Sequence, residues 1–426
     1  MNNDMFANLE QALGSMSKEE FAEILSAVDN VAWIEHNRIL KGKPFSFDGR
    51  NYLLQPYRDE YNDIIFYKGR QVEMSEFSMN WLLRKLNKNP YTAGLHAFPR
   101  SNQALKFSKQ RVDSAIKDSD LLAEWYEERE SEIMMRKFVQ KNEGRLKPYN
   151  FYILGATWES KKDTVGDAAR GVSLDFIVYD ERQDHPNDVE TVLGEGASHS
   201  EHNKTLTLGT PKLPGTQFDQ QWESSDKHYW HVKCTKCGRE QTITMDSIMD
   251  SGDDDGNYYY GCTHCKAPLD RQDGKWYATN AQKRPLYRGY HINQLMVPWI
   301  HPNIIMKKYL SPTYPKRRFF NEVLGIAYGG DDVPITLPMM HSCADNEYKL
   351  GVVEGALYGG VDWGAKSYAW LQSKTQLGHK MVDILVVEDA DPREHPKKIA
   401  RWMKKFVPYV KRVVCDAGPD ITRFYN

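Results

Sequence analysis

Short apolar runs separated by stretches of helical period organise the chain. Residues 5–40 place apolar and polar positions at helical spacing, and Ser17 followed by Glu20 predicts a capping box at a helix start. The segment 44–67 ends in the apolar run Ile64–Tyr67, which reads as a buried strand; a polar loop at 68–75 leads into a helical stretch at Glu76–Lys85. Tyr91–Phe98, Asn150–Gly155, Leu174–Tyr179 and Thr205–Leu208 read as further strands, with a helical region at 101–140. Strands alternating with helices predict an α/β domain with a mainly parallel sheet.

The pattern changes after residue 229. Positions 230–285 hold cysteine pairs, glycine turns, the acidic loop Asp253–Asp255 and short aromatic strands, and 286–350 is a proline- and aromatic-rich linker region. Strand signals return at 357–363, 368–373 and 381–388, followed by a helix at 394–407 and a strand at 411–415. The expected divisions are therefore 1–43 (helical), 44–229 (α/β), 230–285 (cysteine-bearing), 286–350 (linker) and 351–426 (a second sheet), which makes three compact units.

Composition narrows the functional classes. The 426 residues carry 56 Lys and Arg against 58 Asp and Glu, a formal net charge of −2, which excludes a uniformly basic nucleic-acid coat and leaves local basic faces open. No apolar run reaches the length of a membrane span, and the N-terminus lacks the basic-then-apolar order of a signal peptide, so a soluble intracellular protein is expected. Basic residues gather at Lys316-Arg317-Arg318 and from Lys397 to Arg412, where phosphate contact and a solvated helix face are both open readings.

Four of the six cysteines form two C-x2-C pairs, Cys234/Cys237 and Cys262/Cys265, separated by 24 residues. That spacing gives two tight knuckles and a closed tetrahedral set of thiolates, the donor set of a structural Zn2+ with no open position for catalysis. Cys343 and Cys415 stand alone.

A second constellation concerns phosphate. Aligned on G-x-x-x-x-G-K-[ST], the strand-to-helix loop Lys68-Gly69-Arg70-Gln71-Val72-Glu73-Met74-Ser75 matches only at Ser75, because Glu73 replaces the second glycine and Met74 the lysine. Lys68 or Arg70 could supply the missing charge from the start of the loop. Downstream, the strand LDFIVY delivers Asp180 and Glu181 at its carboxyl end, where ligands bind in parallel sheets; that order suits Asp180 for Mg2+ held through water and Glu181 for polarising an attacking water. In the tail, Asp362, Glu388 and Asp416 each fall at a strand end, the placement a two-metal site requires.

Taken in order, Gln55-Pro-Tyr57, KGRQVEMSE, HAFPR, ILGA, RGVSLDFIVYDE, LTLGTPKLPGTQFDQQW, the paired cysteines and FFNEVLGIAYG resemble the large terminase subunit of tailed bacteriophages, over about residues 44–420. The resemblance implies a P-loop ATPase domain with a zinc-ribbon insertion and an RNase H-like nuclease domain. It implies adenine contact by Gln55 and Tyr57, and phosphate contact by Lys68, Gly69 and Arg70, with Lys68 in the early lysine position. Ser75 would ligate Mg2+, Asp180 and Glu181 would form the Walker B pair, and Thr210 would couple hydrolysis to movement. Arg170 matches an arginine finger offered to a neighbouring subunit, while Asp362 and Asp416 match nuclease metal ligands, with Mg2+ as the metal.

The family's nuclease domain continues beyond the point where this sequence ends, so the RNase H-like part is expected to be incomplete, from a truncated form or a split gene, and cleavage by this chain alone weak or absent. The expectation is a DNA-packaging motor subunit that hydrolyses ATP and grips double-stranded DNA through its backbone. Its partners would be the portal vertex of the capsid and the small terminase subunit, in a homo-oligomeric ring on the capsid and a monomer in isolation, within the host cell cytoplasm. Two other readings use the same residues: a zinc-stabilised DNA-binding adaptor, and a DNA-dependent ATPase or helicase outside packaging.

Overall fold

The computed structural model describes residues 16–131, 135–142, 145–157, 172–253, 255–280, 285–329, 350–364, 366–375, 378–389, 391 and 393–415. The chain divides into two compact units, 1–334 and 335–426. No helix among the described residues is long and apolar enough to cross a membrane.

The first unit opens with the helices α1 (Lys18–Val28) and α2 (Asn30–Asn37). The anticipated capping box starts α1: the Glu20 N–H donates to Ser17 Oγ and the Ser17 N–H to the Glu20 carboxylate. Asp29 ends one helix and caps the next, accepting from the Ala32 N–H at 2.9 Å.

The strands are β1 (Asp63–Lys68), β2 (Ala93–Arg100), β3 (Tyr126–Ser131), β4 (Met135–Asn142), β5 (Arg145–Thr157), β6 (Phe176–Tyr179) and β7 (Lys204–Gly209). They continue as β8 (His228–Lys233), β9 (Glu240–Thr242), the separate pair β10 (Ile248–Asp250) and β11 (Tyr258–Tyr260), β12 (Gly274–Ala278) and β13 (Arg288–Ile292). All but β10 and β11 join an eleven-stranded sheet in the order β9-β8-β13-β1-β7-β6-β2-β5-β4-β3, with β12 also paired to β8. From β8 to β5 the pairing is parallel, and antiparallel strands extend both sides. Parallel strands are covered on both faces, which is why β1 and β6 read as unbroken apolar runs. Helix α3 (Met74–Lys88) lies against this sheet, with Phe77 edge-on to Phe66 at 4.8 Å and Trp81 edge-on to Phe176 at 6.3 Å.

Three expectations are corrected. The helical region anticipated at 101–140 ends at Trp125, and 126–142 forms the hairpin β3–β4. Its Glu, Arg and Lys residues are good helix formers, but pairing of β4 with β5 and the stacking of Phe138 on Tyr149 at 5.0 Å override that preference. The linker region 286–350 begins with β13, a central parallel strand, and continues into helix α4 (Pro302–Leu310). The cysteine-bearing stretch, expected as an inserted unit, contributes β8, β9 and β12 to the main sheet.

The second unit holds β14 (Leu357–Asp362), β15 (Ser367–Thr375), β16 (Gly378–Val387), helix α5 (Glu394–Met403) and β17 (Val410–Cys415). The order is β16-β15-β14-β17, antiparallel except for the parallel pair β14–β17. Ile399 and Trp402 of α5 are buried in one cluster with Leu357, Leu371 and Val382.

A buried network ties α2 to α3. Arg38, at the end of α2, bonds Glu76 at 2.8 Å, Asn80 at 2.6 Å and the Ala115 carbonyl at 3.3 Å. Methionine at this position would leave Glu76 with Arg111 as its remaining cation, at 3.3 Å. Arg38→Met is expected to cost about 3 kcal/mol in urea unfolding; a loss below about 1 kcal/mol would show that the network is dispensable.

Candidate active site and metal centre

Lys68 ends β1 between β13 and β7, and the loop after it is fixed by backbone bonds. The Gly69 N–H donates to the Ile292 carbonyl at 2.8 Å and the Arg70 N–H to the Glu322 carbonyl at 2.6 Å. The approach is close enough that a Cβ on Gly69 would lie 2.9 Å from the carbonyl oxygens of Glu322 and Val323, so a side chain is excluded there. The chain then passes through Gln71 (φ 59°) and Glu73 (φ 61°) before α3 begins at Met74. Glu73 thus keeps the left-handed backbone that glycine would adopt without strain at the second glycine position of the motif. The side chain is held in place by Arg50, whose Nε and Nη2 lie 2.5 and 3.0 Å from the two carboxylate oxygens.

The Lys68 ammonium is buried, 3.4 Å from Glu181 Oε1 and 3.3 Å from Thr210 Oγ1. It faces a cavity of about 420 Å³ lined by residues 68–76 together with Leu40, Lys41, Arg111 and Glu181. Met74 and Ser75, the first residues of α3, bring helix N-terminal N–H groups to this wall. Cations from Lys41, Lys68, Arg70 and Arg111, backbone donors, and Glu181 beside the arginine-paired carboxylates Glu73 and Glu76 form a site for a polyanion beside an acid.

Glu181 follows β6 and has φ 54°, and its N–H donates to Asp180 Oδ1 at 2.9 Å. Asp180 is buried with its Oδ2 3.5 Å from His96 Nε2. Burial would raise the Asp180 carboxyl, but the His96 contact, the charge of Lys68 and the Glu181 N–H outweigh it and hold it below the ordinary range. His185 donates Nε2–H to the Asp180 carbonyl at 2.8 Å, and burial takes its pKa down to about 4.

Lys68, Gly69, Arg70, Ser75 and Glu181 all line the cavity, and Thr210 reaches Lys68 from β7. Gln55 and Tyr57 do not line it. Gln55 is exposed, and Tyr57 is buried against Phe77 with ring centroids 4.1 Å apart, its hydroxyl accepting from Asn80. The short helix Leu54–Arg58 turns that tyrosine into the core. Arg170 and Asp416 lie outside the described residues. Leu40, Lys41 and Arg111 belong to no motif and are brought to the cavity by tertiary packing.

The four paired cysteines converge, with their sulfur atoms all within 4.8 Å of one another. Cys234 Sγ lies 3.6 Å from Cys265 Sγ, and Cys237 Sγ 3.7 Å from Cys262 Sγ. A tetrahedron with Zn–S bonds of about 2.3 Å has edges of about 3.8 Å, so this donor set fits zinc. The knuckles are built alike: Gly238 (φ 72°) and Lys266 (φ 61°) each turn left-handed four residues after the first cysteine and donate N–H to its carbonyl. N–H groups of Cys265 and His264 lower the Cys262 thiol to about 6. An N–H from Arg239 favours the thiolate at Cys237, but crowding by Cys265, Cys234 and Cys262 outweighs it and pushes the thiol up to about 11.

In the second unit Asp362 is exposed at the end of β14, next to Val361, which pairs with Cys415 of β17. Glu388 follows β16 and is exposed in an ion pair with Lys366 at 2.6 Å. Among the described residues, neither belongs to a group of three or more metal-ligating side chains.

The fold and site define an α/β protein whose parallel sheet presents a lysine, a strand-to-helix loop and an acidic pair around one cavity. The model of the phage terminase large subunit gpA, ATPase domain, matches residues 52–282, and the chain belongs to that family. Comparison with curated proteins finds no match. Among solved structures, the HK97 bacteriophage large terminase is 12% identical, with 91% of this chain and 74% of that chain covered and a TM-score of 0.49. A mutant large terminase ATPase domain from Thermus phage P74-26 is 16% identical, covering 65% and 92%, at a TM-score of 0.43.

His291, beside the site in β13, donates Nε2–H to the carbonyls of Leu324 and Gly325, and burial lowers its pKa to about 4. The unfolded chain binds this proton below about pH 6.5 and the folded chain does not, so stability is full above 6.5 and falls by about 1.4 kcal/mol per pH unit until about 4. His291→Gln, which retains an N–H donor, is expected to reduce the slope of urea stability against pH by that amount. An unchanged slope would rule out the burial effect.

Proposed function

We propose that this chain is the ATP-hydrolysing subunit of a phage DNA-packaging motor, and the observation that carries this is the buried contact of Lys68 with Glu181 and Thr210 at the cavity wall. Lys68, Arg70 and the N-terminus of α3 would bind the ATP phosphates, and Ser75 would hold Mg2+, with Asp180 reaching it through water. The metal, when bound, would neutralise charge on the phosphate oxygens. Glu181 would accept a hydrogen bond from the attacking water and orient it in line with the terminal phosphate. Lys68 would exchange its bond to Glu181 for a phosphate oxygen, releasing the carboxylate for the water. Thr210 shares Lys68 with Glu181 and so would feel that exchange directly. Arg170 would act on a neighbouring subunit's nucleotide in a ring.

Zn2+ would be held by Cys234, Cys237, Cys262 and Cys265 in a structural site, and the sulfur spacing supports that assignment. The second unit supports an RNase H-like nuclease reading through its three antiparallel strands and a fourth strand parallel to the first. Asp362, Asp416 and Glu388 are its candidate Mg2+ ligands. Double-stranded DNA, the capsid portal and the small terminase subunit are the partners of this reading, in the host cytoplasm.

Zinc analysis of the purified chain should find about one ion per chain, lost in Cys262→Ser, and chelation should lower the melting midpoint by roughly 5 °C. A metal-free chain of unchanged stability would remove the zinc assignment. For the motor, DNA-stimulated ATP turnover is expected to fall roughly 100-fold or more in both Lys68→Ala and Glu181→Gln, with nucleotide binding kept in the second. Wild-type protein that neither binds nor hydrolyses ATP would favour a DNA-binding adaptor.

A further inference from the structure

Gln183 is not part of any recognised motif, yet its amide closes a ring of hydrogen bonds around Glu181. Its Nε2 donates to Glu181 Oε2 at 2.6 Å and to Asp184 Oδ2 at 3.1 Å, while its Oε1 accepts from the Thr210 N–H at 2.8 Å. The amide orientation is fixed by these partners, since the two carboxylates only accept and the backbone N–H only donates. Lys68 completes the ring by donating to both Thr210 Oγ1 and Glu181 Oε1. Glu181 is therefore held at both oxygens, one by a cation that phosphate would draw away and one by a neutral amide.

The backbone is built for this contact. After Glu181 the short helix Arg182–Asp184 turns the chain back, anchored by Arg182 on Glu190 at 2.7 Å and on Gln217 at 2.8 Å. Gly209, the last residue of β7, makes room: a Cβ there would lie 2.9 Å from Gln183 Oε1 and 2.5 Å from the Phe218 ring. Beyond Thr210, Lys212 pairs with Asp184, and its carbonyl accepts from Asn321 at 2.8 Å and from Tyr328 at 2.9 Å.

We infer that Gln183 is a positioning residue that aims the Glu181 carboxylate at the attacking water and ties its position to the segment beginning at Thr210. The inference rests on Glu181 acting as the water-polarising acid. With Lys68 drawn to phosphate, the amide is the remaining protein hydrogen bond of this ring to Glu181. A shift of the carboxylate then moves the Thr210 N–H through one rigid amide, and Lys212 carries the displacement to Asn321 and Tyr328.

The test uses the full chain with Gln183→Ala and Gln183→Glu, each checked for an unchanged melting midpoint. Gln183→Ala should lower kcat roughly 10–100-fold and leave KM for ATP within about threefold. In Gln183→Glu the new carboxyl faces Glu181 and Asp184, which pair with Lys68 and Lys212, in a cavity also lined by Arg70, Arg317, Arg318 and Glu322. Ionised, it cannot donate to Glu181; protonated, it donates and still accepts from Thr210. Its kcat should therefore recover about tenfold relative to wild type between about pH 8 and pH 6. Hydrogen exchange without nucleotide gives a separate reading: the Thr210 N–H should exchange about tenfold faster in Gln183→Ala and remain protected in Gln183→Glu. Variant kcat values within twofold of wild type at every pH, or Thr210 protection unchanged in Gln183→Ala, would overturn the inference. Wild-type protein without turnover would instead sink the hydrolytic reading of Glu181, an outcome told apart because Thr210 exchange is read without ATP.

Discussion

An ammonium group buried at the end of a parallel strand must be compensated, and the protein compensates Lys68 with Glu181 and Thr210. Much of the surrounding backbone follows from this contact. Strand β1 lies between β13 and β7, so that Thr210 of the β7 edge reaches the lysine, and β6 is the next strand over, which delivers Glu181. Gly69 lets the loop press against the Glu322 and Val323 carbonyls, and Gly209 lets the Gln183 amide approach β7. In the proposed motor a polyphosphate would draw Lys68 away from Glu181, so its binding and the release of the carboxylate would be one event.

The parallel core was legible because strands covered on both faces are continuously apolar; Ile64–Tyr67 and Leu174–Tyr179 need no tertiary information to be recognised. The acidic pair and the cysteine knuckles were legible for a related reason, since their chemistry lies in adjacent or closely spaced residues. The early place of Lys68 was suggested only by the ordered set of motifs; in the loop itself Glu73 takes up the left-handed conformation of the missing glycine and Arg50 holds its side chain.

What the sequence concealed depends on contacts distant along the chain. The 126–142 segment has helix-forming composition and becomes a hairpin because Phe138 stacks on Tyr149 of the neighbouring strand. Arg288–Ile292 mixes polar and apolar residues and still forms a central strand, its His291 satisfied by the Leu324 and Gly325 carbonyls. Tyr57 sits in the recognised motif and turns into the core. Gln183 belongs to no motif, and its importance emerges only when the turn after β6 folds it against Thr210. The acidic strand ends of the second unit were visible as a pattern, yet Glu388 pairs with Lys366, and the pattern alone does not anticipate that ion pair.

The central claim is that Lys68, from an early position in an altered loop, is the phosphate-binding lysine. The most direct measurement is the affinity of wild type and Lys68→Met for ATP and for adenosine by calorimetry. The account predicts that the variant weakens ATP by roughly 100-fold while adenosine affinity changes little, since a charge-assisted bond to phosphate is lost and no base contact is altered. Equal ATP affinity in the two proteins would contradict it, and would mean that the Lys68–Glu181 contact serves the fold rather than the nucleotide.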